Sequence, residues 1–159
     1  MSMAQSGRFQ LSVRVLAVLA SEPDAMHTSS AIAEALKESA VMVRRTFLLL
    51  QKAGLIVQRK GPHGGAKLKL PAKQIGLGDV FEATAGEWLS IEDKAVSGWM
   101  KKVRGDAVSA MNEHSLAGVV KRLKKAKYFA AESFVGAGSL ERESKTLGDQ
   151  GFTVFAAAF

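Results

Sequence analysis

Leu55-Ile56-Val57-Gln58-Arg59-Lys60-Gly61-Pro62-His63-Gly64-Gly65-Ala66-Lys67-Leu68-Lys69-Leu70 is the stretch that decides how this chain folds. Two short β-type runs flank a Gly-Pro-His-Gly-Gly tip. Runs of this kind bounded by turn residues read as paired strands, with glycine and proline supplying the reversal. The hairpin so predicted is basic along its whole length, and a helical pattern ending at Ala53-Gly54 runs straight into it. A helix followed by a basic β-hairpin is the layout of a winged helix. There the helix enters a DNA groove and the hairpin rides on the flanking backbone.

The residues upstream supply the rest of that layout. Phe9, Leu11, Val13, Val15, Leu16, Val18 and Leu19 predict a first helix over residues 8–20, apolar almost all round and therefore central. Pro23 cannot continue its hydrogen-bond ladder. Thr28 or Ser29 can cap a second helix, residues 30–36, whose inward face is Ile32, Ala33 and Leu36. Ser39 is the expected N-cap of a third helix, residues 40–52. Val43, Phe47 and Leu50 give it one buried stripe, with Leu48 close by, and Arg44, Arg45 and Gln51 project elsewhere. Gly54 ends it by taking a left-handed conformation. Helices two and three form a helix-turn-helix pair.

Charge follows the same map. The 159 residues carry a formal net charge of +7. From residue 39 to residue 78 there is no Asp or Glu, and the same span holds Arg44, Arg45, Lys52, Arg59, Lys60, Lys67, Lys69 and Lys73. A run of cations without an anion creates a field that attracts a polyanion. A solvated basic face is the plainer reading, but the charge coincides with the helix-hairpin pattern.

Beyond the hairpin, Ile75, Leu77, Val80 and Phe81 predict a short fourth helix, residues 77–84, packed back on a DNA-binding domain of residues 1–85. Residues 86–100 read as a connecting segment containing Trp88 and Trp99. Core packing is the default for both tryptophans, and an effector pocket is the alternative. Helical periodicity resumes near Lys101, with Val103, Ala107 and Met111 at i, i+4 and i+8. Ser115 can cap a last helix ending near Lys127, whose apolar face is Leu116, Val119, Val120 and Leu123. Residues 101–127 thus carry stripes with no evident partner in the N-terminal domain. Residues 128–159 form a glycine-punctuated arm ending in Phe159, and the sequence leaves open whether it is loose or docks as a strand.

Several chemistries are excluded or weak. The chain has no cysteine, so disulfides, thiolate zinc sites and cysteine-held iron–sulfur clusters are ruled out. His27, His63 and His114 are far apart and lack a ligand-spacing pattern, so no metal is expected. His63 is either a hydrogen-bond donor to the phosphate backbone or an exposed turn residue. Lys67 does not complete a GxxxxGK[ST] phosphate loop. No nucleophile, base or metal constellation suggests an enzyme. No apolar run reaches the ~18 residues of a membrane span, and residues 1–7 lack a signal-peptide pattern. A soluble cytoplasmic protein is expected.

Gly7-Arg8-Phe9, Ile32-Ala33-Glu34, Leu50-Gln51-Lys52-Ala53-Gly54-Leu55-Ile56 and Gly61-Pro62-His63-Gly64-Gly65 occur in order and at suitable spacing. Together they resemble the Rrf2 family of bacterial transcription regulators over roughly residues 7–123. The resemblance implies a homodimeric winged-helix DNA binder joined through long C-terminal helices. By position, Ser39, Val41 and Arg44 match groove-facing sites, with Arg45 adjacent, and Arg59, Lys60, His63, Gly64 and Gly65 match the wing. The dimer contacts so implied are Val103, Ala107, Met111, Leu116, Val119, Val120 and Leu123. Two departures stand out. Cluster-binding members carry Glu where this chain has Arg44, a residue able to bond guanine O6 and N7 together. They also place three cysteines in the segment matching residues 86–100, where this chain has none. The sequence looks like a cluster-free branch, with no cofactor expected.

The expectation is therefore a mainly α fold with a small β-hairpin wing (α+β), a winged helix-turn-helix with C-terminal dimerisation helices. The expected activity is sequence-specific double-stranded DNA binding by a homodimeric repressor at a palindromic operator, with an unidentified small-molecule effector acting through the segment around Trp88 and Trp99. The alternative is a winged-helix protein-interaction module without specific DNA readout.

Overall fold

A computed structural model describes residues 3–85 and 93–125, with side chains from residue 7 onward. Six helices and one two-stranded antiparallel hairpin follow in the order α1 (Met3–Ser21), α2 (Ser29–Leu36), α3 (Ala40–Lys52), β1 (Ile56–Arg59), β2 (Gly65–Leu68), α4 (Leu77–Ala85), α5 (Lys94–Asn112) and α6 (Leu116–Lys125). A short 3-10 turn, Ala72–Gln74, lies between β2 and α4.

The central helix is α1. Val15, Leu16, Ala17, Val18 and Leu19 are fully enclosed, and α2, α3, α4, α6 and β2 all pack on α1. Buried Ser12 donates its hydroxyl to the Arg8 carbonyl at 2.8 Å, which satisfies a polar group inside the apolar cluster. The helix begins five residues before the sequence reading placed it. Glycine inside a helix costs only about 1 kcal/mol, and Gly7 does not end this one.

Thr28 caps α2, accepting from the Ala31 N–H at 3.1 Å. Lys37 closes α2 in the left-handed region, φ 53°, and turns the chain toward α3. Val43, Thr46, Phe47 and Leu50 form the buried stripe of α3. Gly54, at φ 75°, lets the chain leave it. In the hairpin Ile56 pairs with Leu68 and Arg59 with Gly65. Residues 60–64 make the tip.

Two expectations change downstream. Lys94–Met100 is helix, not connecting segment. Asp93 caps α5 by accepting from the Ala95 N–H at 2.8 Å, and the helix runs through Ser97 and Gly98, the weak helix formers that blurred its period. Second, α6 is folded onto the domain's own core. Leu116 is fully buried and Val120 nearly so, and Leu123 packs against the same cluster. Gly76 and Ser115 form an isolated bridge that holds α6 in place. Leu116 and Val120 therefore face α1 and the 3-10 turn and are not open to a second chain. Trp88, the rest of residues 86–92, and the arm from residue 126 lie outside the described residues.

Candidate nucleic-acid interface

The helix-turn-helix is set by one side chain from α1. Arg14 donates from Nη1 to Glu38 Oε1 at 2.6 Å and from Nη2 to the Leu36 carbonyl at 2.7 Å. It thus binds both the end of α2 and the turn that launches α3. Charge-assisted bonds of this kind are the stronger ones. The sequence reading did not single out Arg14, because an arginine on an apolar helix carries no local signal of what it will reach.

From that turn α3 projects an exposed row. Ser39 occupies the N-cap position, but its side chain makes no cap bond. Val41 is 52% exposed, and Arg44 and Arg45 are both exposed. The Arg44 Nε donates to Ser29 Oγ at 3.3 Å, so the first turn of α2 steadies this guanidinium. Between α2, α3 and the wing lies a cleft of about 440 Å³, bounded by Thr28, Ser29, Arg44, Leu48, Gln58 and Arg59 among others. Gln58 Nε2 is buried there without a hydrogen-bond partner among the described residues. Thr28, Ser29, Leu48 and Gln58 were absent from the sequence-level site. Their membership depends on how the wing folds against α3, which residue spacing does not reveal.

The wing brings Arg59 to the same cleft as Arg44, and Lys60 and His63 are exposed at its tip. Its glycines have a local reason. A Cβ on Gly64 would lie 2.2 Å from the Arg59 carbonyl oxygen. Gly65, at φ 150°, would put a Cβ 2.6 Å from the His27 carbonyl oxygen. His27 and Ala66 exchange backbone bonds of 3.0 and 2.8 Å, which fasten the wing to the body. Close backbone packing thus accounts for both glycines, whatever else they touch.

On α5 no residue is buried. Its α4-facing side holds Arg104, which pairs with Glu82 at 3.3 Å, and Asn112, which accepts from the Asp79 N–H at 3.1 Å. About 140° round the helix, Val96, Trp99, Val103, Ala107 and Ala110 form a separate apolar stripe. Trp99 is 65% exposed and Val96 38%. Trp99 therefore lies on an open helix face. Met111 is half-buried at the border between the two faces.

The sequence matches the Rrf2 family, described as iron-dependent transcriptional regulator, over residues 5–128. The chain belongs to the Rrf2 family. It is accordingly a DNA-binding transcription regulator and not an enzyme. Solved Rrf2-like structures share the fold. IscR of T. potens is 22% identical, with a TM-score of 0.59 over 80% of this chain and 90% of that one. CymR (YrzC), the global cysteine regulator of B. subtilis, is 19% identical, with a TM-score of 0.56 over 77% of this chain and 98% of that one. The oxidized form of Staphylococcus aureus CymR is 25% identical, with a TM-score of 0.53 over 76% of this chain and 96% of that one. A comparison with curated proteins gave no match.

The Rrf2 description names iron, and the donor set here does not suit an iron–sulfur cluster. Such clusters are held chiefly by thiolates, and this sequence contains no cysteine. Among the described residues no three His, Asp or Glu side chains gather as a metal site. No described helix is long and apolar enough to cross a membrane.

Proposed function

We propose that this Rrf2 protein is a homodimeric repressor that binds a palindromic operator and uses no iron–sulfur cofactor. The observation that carries this reading is the joint placement of Arg44 of α3 and Arg59 of the wing around one cleft, with both arginines of α3 exposed. In this reading Ser39, Val41, Arg44 and Arg45 enter the major groove. Arg44, steadied by Ser29, reads a guanine, and Arg59, Lys60 and His63 hold phosphates beside it. Gly64 and Gly65 let the wing lie close to the backbone.

The dimer contact in this reading is the α5 stripe of Val96, Trp99, Val103, Ala107 and Ala110. An isologous pair buries the same face from both copies, and this apolar face lacks a partner within the described chain. Two recognition helices would then address half-sites about 34 Å apart, one turn of DNA. A dimer seated across a promoter excludes polymerase, which favours repression.

Genome-wide footprinting followed by duplex titration tests the reading. Arg44→Ala should relax preference at one position per half-site by about 1–3 kcal/mol. Arg59→Ala should weaken binding to all sequences alike and lower the salt dependence. Uniform weakening by Arg44→Ala would remove α3 from the role of reader.

A further inference from the structure

We propose that α6, with the 3-10 turn beneath it, forms a second basic surface that holds DNA backbone flanking the operator core. The proposal rests on the DNA-binding reading above but concerns different residues. The inner face of α6 is used by Leu116 and Val120 in the core. Its outer face presents Lys121, Arg122, Lys124 and Lys125, all exposed. The helix contains no Asp or Glu. It packs on α1 and on the 3-10 turn, and neither of these carries an acid. The turn instead adds Lys73, which is exposed.

Acids on adjacent elements are already engaged or stand apart. Asp79 accepts from the Gly76 N–H and bonds Asn112, and Glu82 pairs with Arg104. Glu113 is exposed in the turn ahead of α6, at the end opposite the cations. The dipole of α6 favours positive charge in its last turn. It does not account for four cations with no anion in the helix or on the elements beneath it. Their mutual repulsion is relieved by a polyanion.

Continuity with the wing identifies DNA as that polyanion. Lys67 lies on β2, Lys69 follows the strand, and Lys73 lies on the turn that α6 covers. Basic residues thus recur along the chain from β2 to the turn that α6 covers, and residues 65–74 contain no Asp or Glu.

The test uses the full-length protein and two duplexes: the footprinted operator core, and the same core extended by about one helical turn, ~10 base pairs, on each side. The wild type should bind the extended duplex more tightly. The triple variant K121Q/K124Q/K125Q should bind the core duplex as the wild type does and lose the gain from the flanks. Three phosphate contacts per protomer, and so six per dimer, at about 0.9 each, lower the log–log salt slope by about 5.4, or about 1,800-fold in affinity between about 50 and 200 mM salt. The K121R/K124R/K125R variant should keep the gain, which separates loss of charge from loss of fold. No gain from the flanks in the wild type, or full gain in the glutamine variant, overturns the proposal. Arg44→Ala on the same duplexes keeps the two readings apart. If it relaxes preference while the glutamine variant behaves as wild type, only the α6 surface fails. If the wild type shows no preference for the operator at all, the DNA-binding reading fails as well.

Discussion

Replacing Gly65 by alanine should unfasten the wing. Gly65 lies at φ 150°, and an added Cβ would meet the His27 carbonyl oxygen at 2.6 Å, its carbon at 2.7 Å and its nitrogen at 3.0 Å. These are backbone atoms, so no side chain can swing aside. Either the backbone stays strained, at about 1–3 kcal/mol, or the strand retreats. Retreat gives up the two His27–Ala66 bonds of 3.0 and 2.8 Å, each contributing about 1 kcal/mol net. The chain takes whichever course costs less, so the expected loss is about 1–2 kcal/mol. At about 4 °C per kcal/mol for a domain of this size, the melting temperature falls by roughly 4–8 °C. Gly61→Ala is the control. Gly61 has φ 114° but open space where a Cβ would lie, so only local strain of about 1 kcal/mol applies. Circular-dichroism melts of both variants, with hydrogen exchange read at the Ala66 amide, make the comparison. If Gly65→Ala melts no lower than Gly61→Ala, or the Ala66 amide stays as protected as in the wild type, the clamp does not depend on the close approach to His27.

The α5 and α6 faces separate by different failures. Val103→Glu with Ala107→Glu should place charges in the proposed dimer face and yield a folded monomer by sedimentation. Leu116→Ala should cost about 2–5 kcal/mol through a core cavity and leave the oligomer intact; a Leu116→Ala monomer of unchanged stability would reverse the two assignments. Protein expressed with ample iron and sulfide should show no cluster absorbance, and chelation should leave operator affinity unchanged, because thioethers are poor cluster ligands.

The winged-helix core was legible because its signals are local. Two short β-type runs flanking a Gly-Pro-His-Gly-Gly tip specify a hairpin. The Val43, Phe47 and Leu50 spacing specifies one buried face of α3, and the ends of α3 fall at residues 40 and 52 as the sequence implied. The C-terminal helices were less legible because periodicity shows that a face is apolar without showing what covers it. Both α5 and α6 carry such stripes. The α6 stripe is built from larger aliphatics, Leu116, Val120 and Leu123, and it fills the gap beside α1. The α5 stripe is thinner, with two alanines and a largely exposed tryptophan, and it stays outside. At the candidate site the cations were visible in the sequence. Arg14, Ser29 and Gln58 were not, since each acts across 15 or more residues or through the fold of the wing onto α3.

The junction between α4 and α5 determines how a change at α5 could reach the helix-turn-helix. Gly78 lies so close to α5 that a Cβ there would meet the Val108 carbonyl oxygen at 2.3 Å, and one on Gly76 would meet Asn112 Oδ1 at 2.0 Å. The two helices are further joined by Asp79 to Asn112 and by Glu82 to Arg104 at 3.3 Å. In turn α4 packs on α1 and α3. Close packing of this kind resists gradual bending. If α5 were displaced, these contacts would favour movement of α4 and the elements packed on it as one unit. In a dimer joined through α5, the spacing between recognition helices would be set by the angle at which the two α5 stripes cross. An effector that acts through this junction would do so only by favouring one crossing angle over another, because a ligand with equal affinity for both shifts nothing.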